Sequence, residues 1–382
     1  MKLTELSTPC LLLDLDRVER NCATMKGRAQ ALGVALRPHL KTAKSADVAR
    51  LATQGGITVS TLAEIDYFGR HGFRDITYAV GITAHKLDTL AELQDKHGLS
   101  LSLLADHPAT VNEVARRAAQ LDRRFALLIE IDCGGGRGGL APDGAELLAL
   151  AQLIRSSSHL RLHGVLTHAG QSYATPGRQA ITAVAEAERA AAVLAATRLR
   201  AAGFEIPVVS VGSTPTAVFA QDLSGVTEMR PGVYTLFDLD QAALGVCKVD
   251  DIAASVLASV IGHNPRSRRV LIDAGGLALS KDLSANGLGS GTPDVGYGLV
   301  CAAEGGPPLA GLRVAEVHQE HGFIAGSGDT DLLFRQLPIG SRVRILPNHV
   351  CMTAAAYDCF EVLRAGSPEV LARWPRAGGW NP

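Results

Sequence analysis

Between residues 34 and 234, short runs rich in apolar and β-branched residues alternate with longer runs in which Ala and Leu recur at i, i+3, i+4 spacing. The β-like runs fall at 34–42, 57–62, 75–81, 101–106, 125–132, 160–168, 208–212 and 226–234, and the clearest helical runs at 84–97, 110–121, 145–154 and 178–202. Strands that each lead into a helix, repeated in this way over roughly 200 residues, predict a (β/α)8 TIM barrel. A doubly wound open sheet would place a glycine-rich phosphate loop after its first strand. Here that strand runs instead into Arg37-Pro38-His39-Leu40-Lys41. Beyond about Leu244 the rhythm changes to β-runs at 252–262, 269–273, 312–320 and 341–347 with no helices between them. The pattern therefore predicts a barrel over 11–244 and a second, mainly β domain over 245–382, which residues 1–10 can join. The Gly-, Ser- and Asn-rich stretch 282–298 reads as a loop.

Composition narrows the functional classes. Lys and Arg number 37 against 38 Asp and Glu, for a net charge of -1, and aromatic residues make up 4%. Nucleic-acid binding needs a basic face or stacking platforms, so that class is set aside. The longest nearly apolar run, 252–262, is about half the ~20 residues that span a bilayer, and no basic, apolar leader opens the chain. A soluble, cytoplasmic protein with no membrane partner is expected. Seven cysteines without a CxxC pair fit reduced thiols rather than a disulfide framework.

Chemistry in such barrels sits at the C-terminal ends of the strands, which here carry Lys41, Ser60, Asp106, Asp132, His168, Gly212-Ser213-Thr214 and Arg230. Taken singly, each has an ordinary explanation. Lys41 reads as a lysine reaching the surface, His168 as a satisfied core histidine, and Gly212-Ser213-Thr214-Pro215-Thr216 as a turn with an N-cap. Position favours function. A lysine at a barrel mouth is desolvated and made nucleophilic, a turn after the seventh strand is where barrels bind phosphate, and a buried Arg230 needs an acceptor. In the β domain His349 and Cys351 lie two residues apart, which on an extended segment places imidazole and thiol on one face as two metal ligands. His318 and His321 are candidates for further ligands or supporting donors.

Three ordered motifs carry a resemblance: Arg37-Pro38-His39-Leu40-Lys41-Thr42, Val211-Gly212-Ser213-Thr214-Pro215-Thr216 and Pro347-Asn348-His349-Val350-Cys351. The chain resembles the D-serine dehydratase / D-threonine aldolase group of fold-type III pyridoxal-phosphate enzymes, relatives of alanine racemase. The resemblance implies an alanine-racemase-like barrel with a β domain, a homodimer, pyridoxal 5'-phosphate and a divalent metal (Zn, Mn or Mg). By motif it implies that Lys41 is the Schiff-base lysine and that Gly212, Ser213, Thr214, Gly232 and Tyr234 hold the phosphate. It further places Arg137 at the cofactor's phenolic oxygen, His168 on the pyridine face, Tyr173 in the pocket wall and Arg230 at the pyridine nitrogen. His349 and Cys351 match the metal ligands.

The activity implied is elimination of water from a small D-3-hydroxyamino acid, of D-threo-3-hydroxyaspartate or D-serine type, to a 2-oxo acid and ammonia. The alternative within the group is D-threonine aldolase, which cleaves to glycine and an aldehyde. Racemisation needs an acid or base on each face of the carbanion, and no tyrosine here matches the racemase's second base. A pyridoxal-phosphate carrier consisting of the barrel alone would leave His349 and Cys351 without a purpose.

Overall fold

The computed structural model describes residues 1–53, 55–288, 294–326 and 329–382, so residues 289–293 of the segment read as a loop lie outside it. It divides into two units, one made of 1–23 with 233–376 and the other of 24–232 with 377–382. No helix among the described residues is long and apolar enough to cross a membrane.

In chain order the first elements are β1 (Cys10–Asp14) and α1 (Leu15–Ala31). Eight parallel strands follow: β2 (Ala35–Leu36), β3 (Ile57–Val59), β4 (Asp75–Gly81), β5 (Ser100–Ala105), β6 (Phe125–Ile131), β7 (Leu160–Thr167), β8 (Val208–Val211) and β9 (Glu228–Met229). They pair sequentially from β3 to β9, with β2 beside β9, and a parallel bridge between His39 and Thr58 closes the ring. The intervening helices are α2 (Ala46–Ala52), α3 (Leu62–Arg70), α4 (Leu87–His97), α5 (Pro108–Gln120), α6 (Ala145–Ser156), α7 (Arg178–Ala201) and α8 (Thr214–Phe219). Local sequence sets several of their ends. Thr61 caps α3 by accepting the Glu64 N–H, Pro108 opens α5, and Gly98 closes α4 in the left-handed conformation at φ 62°. Leu104, Leu128 and Leu166, from adjacent strands, pack together as part of the core.

The first and last barrel strands are shorter than their apolar patterns predict. Each is two residues long, because Pro38 and Pro231 cannot donate to a ladder. The pairing continues as single bonds instead. Arg37 N–H donates to the Met229 carbonyl (3.0 Å), His39 N–H to Pro231 (2.9 Å) and Leu40 N–H to Thr58 (2.9 Å). Beneath these residues runs a chain of charged groups. Arg37 donates from Nε to Glu228 Oε2 (2.7 Å) and from both terminal nitrogens to Asp75 (2.9 and 2.8 Å). The Ser210 hydroxyl donates to Glu228 Oε1 (2.5 Å), and Arg230 Nη1 donates to Ser210 Oγ (2.6 Å).

The other unit contains β10 (Ala254–Asn264), β11 (Arg269–Ile272), β12 (Gly298–Ala302), β13 (Pro308–Val317), β14 (Gly322–Ala325), β15 (Arg342–Pro347), β16 (Cys359–Leu363) and β17 (Ala372–Pro375). Sheet order is β11-β14-β13-β12-β15-β10-β1-β16-β17, with a further pairing of β10 to β11. A register shift between Val260 and Gly262 lets β10 pair with β15 and β1 along its first half and with β11 along its second. That bend closes six strands into a barrel, from which β1, β16 and β17 extend. Leu3, Leu6, Leu12, Leu257 and Leu363 form one of its apolar clusters. Four short helices interrupt the β pattern: α9 (Leu239–Ala243), α10 (Gly276–Leu279), α11 (Thr330–Gln336) and α12 (Val350–Ala354).

Candidate active site

The C-terminal ends of the parallel strands enclose a cleft of about 240 Å³ lined by Lys41, His39, Arg137, His168, Gly212 and Arg230, among others. Strand β2 thus delivers Lys41 to the same mouth that β7, β8 and β9 reach with His168, Gly212 and Arg230. Lys41 lines the cleft but is exposed, so this unit does not provide the desolvation expected of it from the sequence.

The turn after β8 is built by local chemistry. Ser213 caps α8, accepting the Thr216 N–H (3.2 Å), while the Ser213 N–H donates to Thr216 Oγ1 (3.1 Å). The Gly212 N–H is also engaged internally, by Glu188 (3.0 Å). Gly212 and Ser213 therefore shape the turn while their own N–H groups stay within it. Thr214 N–H points toward the Tyr173 hydroxyl (3.4 Å), and Gly232 N–H donates to Thr214 Oγ1 (3.2 Å), which joins three further expected residues at one place. Two glycines are required by space. At Gly212, with φ +131°, a Cβ would sit 2.6 Å from the Arg230 nitrogen, and at Gly232 a Cβ would sit 2.6 Å from the His39 carbonyl oxygen. Gly212→Ala is expected to lose about 1–3 kcal/mol of stability from backbone strain alone, read as a lower urea midpoint. Tyr234 falls in the other unit, fully buried in the turn Val233–Thr235, and does not line the cleft.

Charge in the cleft is predominantly positive. Burial, reinforced by Lys41 and Arg230, holds His39 well below the ordinary imidazole range. Burial likewise brings His168 down to about 3; its hydrogen bond to the Gly212 carbonyl works the other way, but Lys41, Arg137 and Arg230 add to the lowering. Both histidines are neutral at pH 7. His168 Nδ1 donates to the Gly212 carbonyl (2.8 Å), which leaves Nε2 as the acceptor nitrogen. Arg230 is brought down to about 10 by burial and remains a cation, with Nη2 donating to the Thr167 carbonyl (2.5 Å). Arg137 pairs with Glu130 at 3.3 Å. Two arginines and a lysine against one carboxylate suit a phosphate and a substrate carboxylate.

In the other unit, His349 is not on an extended run with Cys351. It is the N-cap residue of α12, and Cys351 lies in the helix's first turn. The chain turns there because β15 ends at Pro347 and the Val350 N–H is taken by the buried carboxylate of Asp238 (2.9 Å). Imidazole and thiol still meet. Burial would lower His349, but its hydrogen bond to Cys351, the charges of Cys351 and Asp238 and its bond to Asp282 raise it to about 10. Such a site draws positive charge, proton or metal. His349 Nδ1 lies 2.7 Å from Asp282 Oδ2, the arrangement in which a carboxylate orients a metal-binding histidine and leaves Nε2 for the ion. Among the described residues no group of three or more His, Cys, Asp or Glu could hold a metal ion. His318 pairs with Glu316 at 3.3 Å rather than joining His349.

Sequence reasoning assigned no role to His39, Glu130, Asp282 or Glu188. The first was visible inside its motif two residues before Lys41; the others belong to no motif and become functional candidates only through the partners the fold gives them.

Comparison with known proteins gives the chain a family. A family model described as alanine racemase, N-terminal domain, matches residues 13–240, and one described as putative serine dehydratase domain matches 253–363. The chain is 44% identical to D-threo-3-hydroxyaspartate dehydratase of Delftia sp. (strain HT23) over 99% of both chains. It is 31% identical to D-serine dehydratase of Dictyostelium discoideum over 94% of each, and 30% identical to D-threonine aldolase of Arthrobacter sp over 96% of this chain and 92% of that one. Two solved variants of a D-threo-3-hydroxyaspartate dehydratase superpose with TM-score 0.94 at 42% identity. One has a histidine replaced by alanine and is covered over 97% of its length; the other, a cysteine variant in the metal-free form, is covered over 100%, each against 100% of this chain.

Proposed function

Because the chain belongs to the alanine-racemase-like family of D-amino acid dehydratases and aldolases, and is a lyase of that family, we propose that it eliminates water from D-3-hydroxyamino acids of the D-threo-3-hydroxyaspartate type. The products are a 2-oxo acid and ammonia. The observation that carries this reading is the convergence of Lys41, Arg137, His168, Gly212 and Arg230 on one cationic cleft, together with a separate His349–Cys351 pair backed by Asp282. The histidine and cysteine replaced in the two solved variants are also two residues apart, and the cysteine variant is the metal-free one.

In this reading Gly212 to Thr214, Tyr173 and Gly232 would hold the phosphate of pyridoxal 5'-phosphate, and Arg137, His168 and Arg230 would surround its ring. When bound, the cofactor supplies the electron sink that makes the substrate's Cα proton removable. His349 and Cys351 would hold a divalent cation, which would supply Lewis acidity for loss of a β-hydroxyl, and the soft thiolate would favour zinc over magnesium. The chain's own groups do the rest. Lys41 Nζ takes the Cα proton, the one lysine amine among the residues lining the cleft. Neutral His168 would orient the ring without adding charge, and the Arg230 cation would disfavour protonation of a ring nitrogen placed beside it. The assembly is a homodimer.

Product analysis tests the reaction. Incubation with D-threo-3-hydroxyaspartate, D-serine and D-threonine is expected to yield ammonia and 2-oxo acid, whereas glycine and an aldehyde as dominant products would make it an aldolase. Asp282→Asn is expected to weaken metal affinity about 10- to 100-fold by freeing the His349 ring, measured by competition with a chromogenic chelator.

A further inference from the structure

Helix α7 carries a carboxylate, Glu188, that faces inward and is 2% exposed. It is not a residue that lines the cleft, yet each of its hydrogen bonds reaches a segment that does. Its Oε1 accepts the Ala169 N–H (2.8 Å) and the Gly212 N–H (3.0 Å), while Oε2 accepts the Thr216 hydroxyl (2.7 Å). The three donors belong to the ends of β7 and β8 and to the first turn of α8. One carboxylate therefore ties together the backbone after His168, the glycine whose carbonyl receives the His168 ring, and the threonine that completes the capping box of the phosphate turn.

We propose that Glu188 is a positioning residue for the cofactor site. By fixing Ala169 and Gly212 against one another it sets the orientation and the Nδ1–H tautomer of His168, and by binding Thr216 it fixes the 212–216 turn. The proposal rests on the pyridoxal-phosphate reading for its consequence in binding, but not for its effect on His168.

The hydrogen-bond pattern makes the carboxylate specific. All three partners are donors, so an acceptor with two oxygens satisfies them at once. Thr216 spends its proton on Glu188 and is left to accept from the Ser213 N–H and hydroxyl (3.1 and 2.9 Å). A glutamine keeps one oxygen for the two N–H groups but turns an NH2 toward Thr216, which reverses the direction of that hydroxyl chain. An alanine strands two buried N–H groups. Burial dominates and raises the Glu188 carboxyl, while the three donated bonds and the nearby Arg230 cation oppose that rise in part.

The test compares wild type, Glu188→Gln and Glu188→Ala in two measurements. In the apoprotein with 15N-labelled histidine, His168 is assigned by its loss in His168→Asn. It is expected as the Nδ1–H tautomer in wild type and as a tautomer mixture in both Glu188 variants. The dissociation constant of pyridoxal 5'-phosphate, followed by its visible absorption, is expected to rise about 10- to 100-fold in Glu188→Ala and less in Glu188→Gln. If the alanine variant does not fold, Glu188→Gln decides by the same two readouts. Wild-type tautomer and affinity in the variants, even with a lowered urea midpoint, overturn the proposal and make Glu188 a packing residue. Failure of the wild type to take up the cofactor removes the proposed function, while the His168 comparison still decides the role of Glu188.

Discussion

Lys41→Ala is expected to lower turnover by about 10³-fold or more and to abolish the visible absorption of the bound cofactor at the same time. The double loss follows from place. Residues 37–41 are held on one side by Met229 and Pro231 and on the other by Thr58, so the segment delivers its lysine to the cleft in a fixed register. The nearest substitute in sequence is already committed. Lys44 Nζ lies 3.3 Å from the fully buried carboxylate of Glu64, and the Lys44 carbonyl accepts the Ala377 N–H. Among the described residues no other lysine lines the cleft. A borohydride-reducible link between protein and cofactor that survives in Lys41→Ala, mapped by peptide mass, would remove Lys41 from its role.

The second large effect is expected from Cys351→Ala or from dialysis of the wild type against a strong chelator. A Lewis acid acting on a poor leaving group contributes several kcal/mol, so turnover should fall about 10²- to 10⁴-fold. Cofactor absorption should remain, because Lys41, His168 and Arg230 line the cleft and His349 and Cys351 are not among its lining residues. Zinc added back should restore the dialysed wild type and leave the variant inactive. Full turnover by a preparation in which elemental analysis finds no metal would take the metal out of the reaction. Parallel loss of absorption and turnover would show instead that the thiol serves cofactor binding.

Much of the barrel was legible because its strands are short, apolar and separated by strongly periodic helices. The run 75–81 coincides with β4, and 125–132 and 160–168 overshoot β6 and β7 by one residue each. What misled was chemistry that apolar pattern does not register. Pro38 and Pro231 cut the first and last strands to two residues, although the hydrophobic run continues past both. Helix α1 escaped notice because its buried apolar stripe is narrow, Val18, Cys22, Met25 and Ala29 at successive turns, with the polar Asn21 buried beside it and charged or polar residues over much of the rest. The HxC motif was found, but its geometry was not. Asp238, more than a hundred residues earlier, draws the Val350 N–H and starts a helix where alternation suggested a strand. Glu188 was invisible for a related reason. Among the alanines and charges of α7 a glutamate reads as part of the solvated face, and only the donors above it reverse that reading.

The charged chain under the cleft, from Asp75 through Arg37, Glu228 and Ser210 to Arg230, limits how this sequence can drift. Glu228, Ser210 and Arg230 are buried where water cannot substitute, whereas Asp75 at the outer end is exposed, so it is at the inner members that removing one partner costs about 3–5 kcal/mol. Glu228→Gln alone would leave two guanidinium groups facing an amide. The same change accompanied by loss of the Arg37 charge removes the mismatch between Arg37 and the amide and leaves only Asp75, which is exposed and open to water. Substitutions at 37, 75 and 228 should therefore show strong epistasis: in a library randomised at these positions, surviving variants would be correlated sets, with single replacements largely missing. Arg230 would be the member that never varies among active survivors, since it alone also faces the cleft. A barrel whose floor can change only several residues at a time keeps the geometry of its cleft while its walls and loops are free to vary.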